Sequence, residues 1–292
     1  MPPTSRGITM MVISTVFFAS MHAAIRYIAF ELHPFQIAFF RNFFGLLIFL
    51  PIALRMGFGV FHTTRLGLHV VRSILNIGAM LAFFTALSIT PIAKVTALSF
   101  TSPIFMAVLS VLILGERMRV RRWVATICGF IGTLIILRPG VEALDFGSIL
   151  VVGSASVWAF TMIVIKFLAR TESSVTITAY MNVFLSLLSL VPAIFTWQQP
   201  SLEAWLWLAF IGIAGTLGQL TLAESLKQTE ATAVMPFDFL KLVWAAFLGY
   251  LLFAEIPTLY TWTGAAIIFA SGLYIAYRES VLARKVVKSA TQ

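Results

Sequence analysis

Apolar residues in this chain run in long unbroken stretches separated by short polar connections, with no strand-like alternation. A stretch of about 20 apolar residues matches the ~30 Å hydrocarbon core of a bilayer at ~1.5 Å rise per residue. Ten such stretches occur, at 7–29, 34–54, 66–89, 92–114, 121–138, 147–168, 175–196, 202–225, 231–253 and 258–277. They are far too long for the strands of an outer-membrane barrel. The pattern predicts an all-α membrane protein of ten transmembrane helices. The first stretch has full membrane length, lacks a clear small-residue cleavage site and precedes nine more, so it reads as a retained span rather than a signal peptide.

Composition agrees: 60% of residues are apolar or aromatic, 11% are charged and the mean hydropathy is +0.98. A soluble domain of this size must show water far more polar surface, so a soluble enzyme is excluded. The net charge of +9 would suggest nucleic acid in a soluble chain. Here fourteen of the 20 Lys and Arg fall in the tails and even-numbered loops, three (Arg26, Lys94, Arg138) on the other side, and three (Arg41, Arg72, Lys241) inside apolar segments. That bias predicts both termini in the cytoplasm and needs no nucleic-acid partner. The lone cysteine, Cys128, permits neither an intrachain disulfide nor a thiolate metal site. No phosphate-binding loop, paired-histidine metal spacing or nucleophile–base constellation is present, so no cofactor, metal, ATP hydrolysis or catalysis is expected.

An internal repeat runs at a spacing near 140. Gly7, Ser14, Ala19, Arg26 and Asn42 match Gly147, Ser154, Ala159, Lys166 and Asn182, and one residue closer Leu87, Thr90, Glu116 and Trp123 match Leu226, Thr229, Glu255 and Trp262. The expected units are 1–140, 141–279 and a cytoplasmic tail, 280–292. Five spans per half is an odd number, so the second half enters the membrane from the opposite face. Such inverted repeats suit alternating access, in which the halves exchange conformations around a midplane site.

The segment from Arg72 to Arg117 carries a resemblance. Its early Arg72, Ala86-Leu87, Thr90-Pro91, Pro103 and terminal Gly115-Glu116-Arg117, together with Arg41, resemble the EamA-type branch of the drug/metabolite transporter superfamily. The likeness spans 7–277, although Ala254-Glu255-Ile256 replaces the Gly-Glu-Arg ending in the second half and Leu242 replaces its proline. Within the branch, bacterial amino-acid exporters of the YddG type are the nearer resemblance. It implies a cavity bounded by the first, third, fourth, sixth, eighth and ninth spans, with the fifth and tenth peripheral.

Ionisable groups at bilayer depth cost about 3 kcal/mol and usually face a cavity or a partner. Asp238 and Lys241 are three apart on the ninth span, with Lys241 about 15 Å from its start. Either they meet the ammonium and carboxylate of a zwitterionic solute, or they form a permanent structural ion pair. Asn76 and Trp158 fall at similar depth and offer hydrogen bonding and a stacking face; Asn76 is equally suited to helix–helix bonding. Repeat symmetry pairs Phe18 with Trp158, Met80 with Gln219 and Ser99 with Asp238, which adds Phe18, Met80, Ser99 and Gln219 to the candidate solute-binding set. His22 is a further candidate, for solute or proton, against satisfaction by a neighbour. Arg41 and Arg72 read more simply as snorkelling or helix-pinning residues, and Glu116 and Glu255 as turn-fixing ones. Pro103 and Pro236 are expected to act as hinges or cavity-lining kinks, each freeing a carbonyl one turn earlier. The leading expectation is a secondary transporter in a bacterial inner membrane, exporting amino acids or related metabolites, with a small solute and the bilayer as its partners and no ATPase subunit. Drug or cation efflux, and an intramembrane lipid-modifying enzyme, are the competing readings.

Overall fold

The structure is a computed structural model that describes residues 3–56, 62–115, 120–138, 145–168, 171–172, 174–228, 237–238, 240–271 and 273–274. Among the described residues the secondary structure is helical: α1 Pro3–Ile28, α2 Pro34–Met56, α3 Leu66–Ile89, α4 Ile92–Ser99, α5 Ser102–Leu114, α6 Val120–Leu137, α7 Phe146–Leu168, α8 Ser174–Phe195, α9 Leu202–Gln228, α10 Leu240–Phe253 and α11 Leu259–Ser271. Every apolar stretch of the sequence is represented. Six helical runs are long and apolar enough to cross a membrane; Pro34–Ile48, Trp123–Leu137, Leu240–Phe253 and Leu259–Ser271 are shorter apolar helices.

Proline and left-handed residues set the ends. α3 stops at Thr90, whose extended backbone (φ −128°, ψ 145°) is the conformation a following proline imposes. The fourth apolar stretch is broken into α4 and α5 at Phe100–Thr101. Pro103 cannot donate to the carbonyl of Ser99, and a proline is well tolerated in the first turn of a new helix, so α5 restarts at Ser102. Pro236, the second expected hinge, lies outside the described residues, as does Glu116. α5 is followed by Gly115 at φ +66° and α10 by Ala254 at φ +54°. These two positions are repeat partners, so both halves turn with the same left-handed residue, and only one of them is glycine.

The bundle is apolar outside and partly polar within. Ile127, Phe130, Leu187, Val191, Ile194 and Leu206 are exposed, whereas Ser14, Asn42, Ser186, Ser189 and Ser225 are buried. Those buried groups join helices: Ser14 Oγ donates to Gly218 O at 2.9 Å, Ser225 Oγ to Gly7 O at 2.7 Å, and Asn42 Nδ2 to Ser189 Oγ at 3.2 Å. Hydroxyl and amide links between closely packed helices are the usual adhesive where lipid offers no hydrophobic drive. Gly212 and Gly218 admit Phe44 and Phe18 against α9, and Gly132 and Gly264 bring α6 and α11 together. The most extensive packing is α1 on α9 and α3 on α7, with α2 on α8. Under the repeat the first two pairs exchange with one another and the third maps onto itself.

Candidate functional site

A cavity of about 490 Å³ lies within the bundle, and all nine candidate solute-binding residues line it: Phe18, His22, Asn76, Met80, Ser99, Trp158, Gln219, Asp238 and Lys241. Its wall has matched positions from the two halves. Both members of five repeat pairs contribute to the lining: Phe18 and Trp158, Met80 and Gln219, Ser99 and Asp238, Ser102 and Lys241, and Arg41 and Met181.

The lining carries the i,i+3 pair of Lys241 and Asp238, with Nζ 2.7 Å from Oδ1 and side chains about one-fifth exposed. The approach is not aligned as a hydrogen bond. Lys241 Nζ also stands 5.4 Å from the ring centroid of Phe18 and 5.9 Å from that of Phe100, within cation–π range. Ser99, at the end of α4, donates its hydroxyl to Thr96 O at 2.7 Å. Asn76 is buried on α3 and contributes to the lining of the chamber. His22 packs its ring 5.1 Å from that of Phe83.

Two sequence expectations change here. Arg41 does not snorkel away; it lines the chamber, its Nη1 donating to Asn42 Oδ1 at 3.0 Å. Gly215 makes the room, since a Cβ there would fall 3.2 Å from Arg41 Nε and 2.8 Å from Met21 Sδ. Depth arithmetic along one helix placed Arg41 near a surface; the neighbouring glycine on α9 was the available signal that its guanidinium turns inward. The tenth span is not peripheral either: α11 contributes Ile268 and Phe269, drawn inward where α11 crosses α6 at Gly132. Arg72 is the helix pin the sequence suggested, donating to Ile177 O at 2.9 Å and approaching Met181 Sδ at 3.2 Å.

One end of the bundle, the end carrying His33, is tied together by polar contacts. Arg26, in the last turn of α1, donates Nη1 to Leu87 O at 2.9 Å and Thr90 O at 3.0 Å, while its Nη2 lies 2.6 Å from Glu255 Oε1. Glu255 Oε2 in turn accepts the otherwise unpaired N–H of Ile92 at 2.9 Å. Glu255 is therefore a turn-fixing residue, but for the start of α4 rather than for its own helix. Lys94 Nζ pairs with Asp145 Oδ2 at 2.6 Å. Partial burial would raise the Asp145 carboxyl, but Lys94 and the two Ser148 donors outweigh it and hold the group at about 2. Gln36 and Gln198 exchange reciprocal hydrogen bonds at 2.7 and 3.0 Å, completing the seam.

The EamA-like transporter family model matches the chain twice, over residues 5–138 and 145–277. An S-adenosylmethionine uptake transporter of Rickettsia bellii is 32% identical, with 94% of each chain covered. A riboflavin transporter of Vibrio cholerae is 31% identical with 96% of each covered, and another of Brucella anthropi is 32% identical over 85% of this chain and 89% of that one. One solved crystal structure shares the fold with a TM-score of 0.60 at 18% identity, covering 97% of this chain and 98% of that one. Relatives along the full length are named as transporters rather than enzymes, and the bundle presents apolar side chains outward around an inner chamber. The chain is an integral, multi-pass membrane protein and belongs to the EamA-like transporter family of the drug/metabolite transporter superfamily.

Proposed function

We propose that this chain is a secondary transporter that takes up a metabolite joining a flat ring system to a polar head, of the size of S-adenosylmethionine or riboflavin. The observation that carries the reading is the chamber. Its volume of about 490 Å³ falls in the range of ~300–1,000 Å³ typical of sites for drug-sized ligands and is generous for a free amino acid. Phe18, Phe83, Phe84, Phe100, Trp158 and Phe269 supply ring-stacking walls, and Lys241, Asp238 and Asn76 supply a few polar anchors. The names of the relatives favour uptake of such a solute over amino-acid export, while the Lys241–Asp238 pair suits an amino-acid head at one end of it.

In this reading ten spans form two inverted halves, 1–140 and 141–279, with both termini cytoplasmic and the His33 end outside. The contacts of Arg26 and Glu255 close the outer gate. Their repeat partners in sequence, Lys166 and Glu116, belong in this reading to the opposite membrane face and form the inner gate in the other state. The break at Phe100–Thr101 before Pro103, and Pro236 at the matched stretch, act as hinges. Purified protein in liposomes, offered labelled S-adenosylmethionine, riboflavin and a panel of amino acids with and without a pH gradient, tests this. Saturable flux of a ring-bearing solute is expected. Flux of amino acids alone would return the reading to export, and no flux at all would overturn transport through the chamber.

A further inference from the structure

The chamber is charge-asymmetric. Its ionised lining groups are Arg41, Asp238 and Lys241, and the last two neutralise each other at 2.7 Å. Arg41 is left over. No carboxylate among the described residues lies within ion-pair distance of it, and the hydrogen bond it makes is to the neutral amide oxygen of its own neighbour, Asn42, at 3.0 Å. That amide is itself fixed: Asn42 Nδ2 donates to Ser189 Oγ at 3.2 Å and approaches Leu185 O at 3.5 Å, while Ser186 Oγ donates to Asn42 O at 3.1 Å. Asn42 therefore steers the guanidinium without offsetting its charge. The repeat sharpens the point, because the partner position of Arg41 is Met181, which also lines the chamber. The scaffold does not require a cation here; one half has it and the other does without. An unpaired cation inside the membrane carries a cost of about 3 kcal/mol that an anion in the chamber relieves.

We propose that Arg41 is the anion-receiving residue of the chamber and restricts its solutes to those bearing a carboxylate, or a comparable anion, beside the ring system. The assignment rests on the chamber being the solute site. The planar fork of the guanidinium, with two or more donors that have no partner among the described residues, matches a carboxylate in a bidentate arrangement. Asp238 and Lys241 then hold the remainder of the polar head, and the aromatic wall holds the ring. Among ring-bearing metabolites of suitable size, those with an ionised acid are favoured over neutral ones.

Binding and uptake of S-adenosylmethionine, its decarboxylated analogue and riboflavin by the full chain in liposomes provide the test. A charge-assisted hydrogen bond of this kind is worth about 10- to 100-fold in affinity, so wild type should prefer the carboxylate-bearing solute over its decarboxylated form by that factor. Arg41→Gln should collapse the preference to within about 3-fold by weakening the acid-bearing solute alone, and Arg41→Lys should retain much of it. Gly215→Ala, which crowds the guanidinium without removing it, should weaken the preference even if Arg41→Gln does not fold. Undiminished discrimination in Arg41→Gln, or equal weakening of both solutes with no rescue by lysine, would overturn the assignment and make Arg41 a structural pin. Transport of riboflavin but of neither adenosyl solute would overturn it while leaving the chamber as the solute site. Failure of all three solutes to bind would overturn both.

Discussion

Glu255→Gln is the sharpest perturbation of the proposed outer gate. Gln is isosteric and removes the charge alone. The side chains of Arg26 and Glu255 are 14% and 12% exposed, so the pair is largely withdrawn from solvent. Deleting one partner of a buried pair costs about 3–5 kcal/mol, because a charge is left uncompensated. Two features place this case below that range. Arg26 keeps two carbonyl acceptors, Leu87 O and Thr90 O, and its 2.6 Å approach to Glu255 is a charge contact rather than an aligned hydrogen bond. A loss of about 2–3 kcal/mol from the state closed at the His33 end is the working value, which shifts its population ratio by about 30- to 150-fold. The assay is side-specific thiol labelling in oriented vesicles. Cys128, which is exposed, is first replaced by Ser, and Met80→Cys places a reporter in the chamber wall. A membrane-impermeant maleimide added on the His33 side should react at least 10-fold faster when Glu255→Gln is present, and solute exchange should fall by a similar factor. The swap of Arg26→Glu with Glu255→Arg should recover part of the slow labelling. Unchanged labelling from that side in Glu255→Gln would refute the gate and leave Glu255 as an anchor for the start of α4.

Lys241→Ala should abolish uptake at normal expression, since it leaves Asp238 an unpaired carboxylate in the chamber; near-normal flux would assign the pair a packing role. Ala254→Gly should be neutral or stabilising by up to about 1 kcal/mol and Gly115→Ala destabilising by about 1 kcal/mol, because both positions hold the left-handed conformation; thermal unfolding in detergent measures each. The Asp145 carboxyl is depressed to about 2 from its ordinary 3.8, so its contribution is present above about pH 4 and is lost as pH falls toward 2. The melting-temperature difference between wild type and Asp145→Asn should accordingly shrink over that acid window. It should remain small throughout, under about 1 kcal/mol, because the side chain is 42% exposed.

The fold was legible because its physical signal is long-range and redundant. Ten apolar stretches, the Thr90-Pro91 stop and the Pro103 interruption each act through local backbone chemistry that a single chain displays. What the stretches could not display is how deep each helix is set against its neighbours. That depth decided Arg41. Counting residues from the start of α2 placed its Cα near a surface, whereas its guanidinium turns into the chamber past Gly215 on a helix more than 170 positions away in sequence. The contribution of α11 was hidden for the same reason, since it depends on a glycine contact between two helices whose individual patterns mark neither as cavity-lining.

The candidate site was legible for a different reason, which also explains where function departs from scaffold. The repeat builds the chamber from matched positions, so identifying Trp158 or Asp238 as unusual brought Phe18 and Ser99 with it. A scaffold of two matched repeats has no intrinsic preference for either half, yet its charges do. In the repeat, Lys241 is matched by Ser102, Asp238 by Ser99 and Arg41 by Met181. Symmetry suits the alternation of two gates, because the two states can then be close in energy. Asymmetry suits recognition, because a solute with a ring at one end and a charged head at the other is itself asymmetric and must be held in one orientation. The positions where the halves disagree chemically are thus the ones where substitution should change which solute is carried. Those where they agree, such as Gly115 with the left-handed Ala254 and Lys166 with Arg26, should change how fast and how stably the carrier cycles.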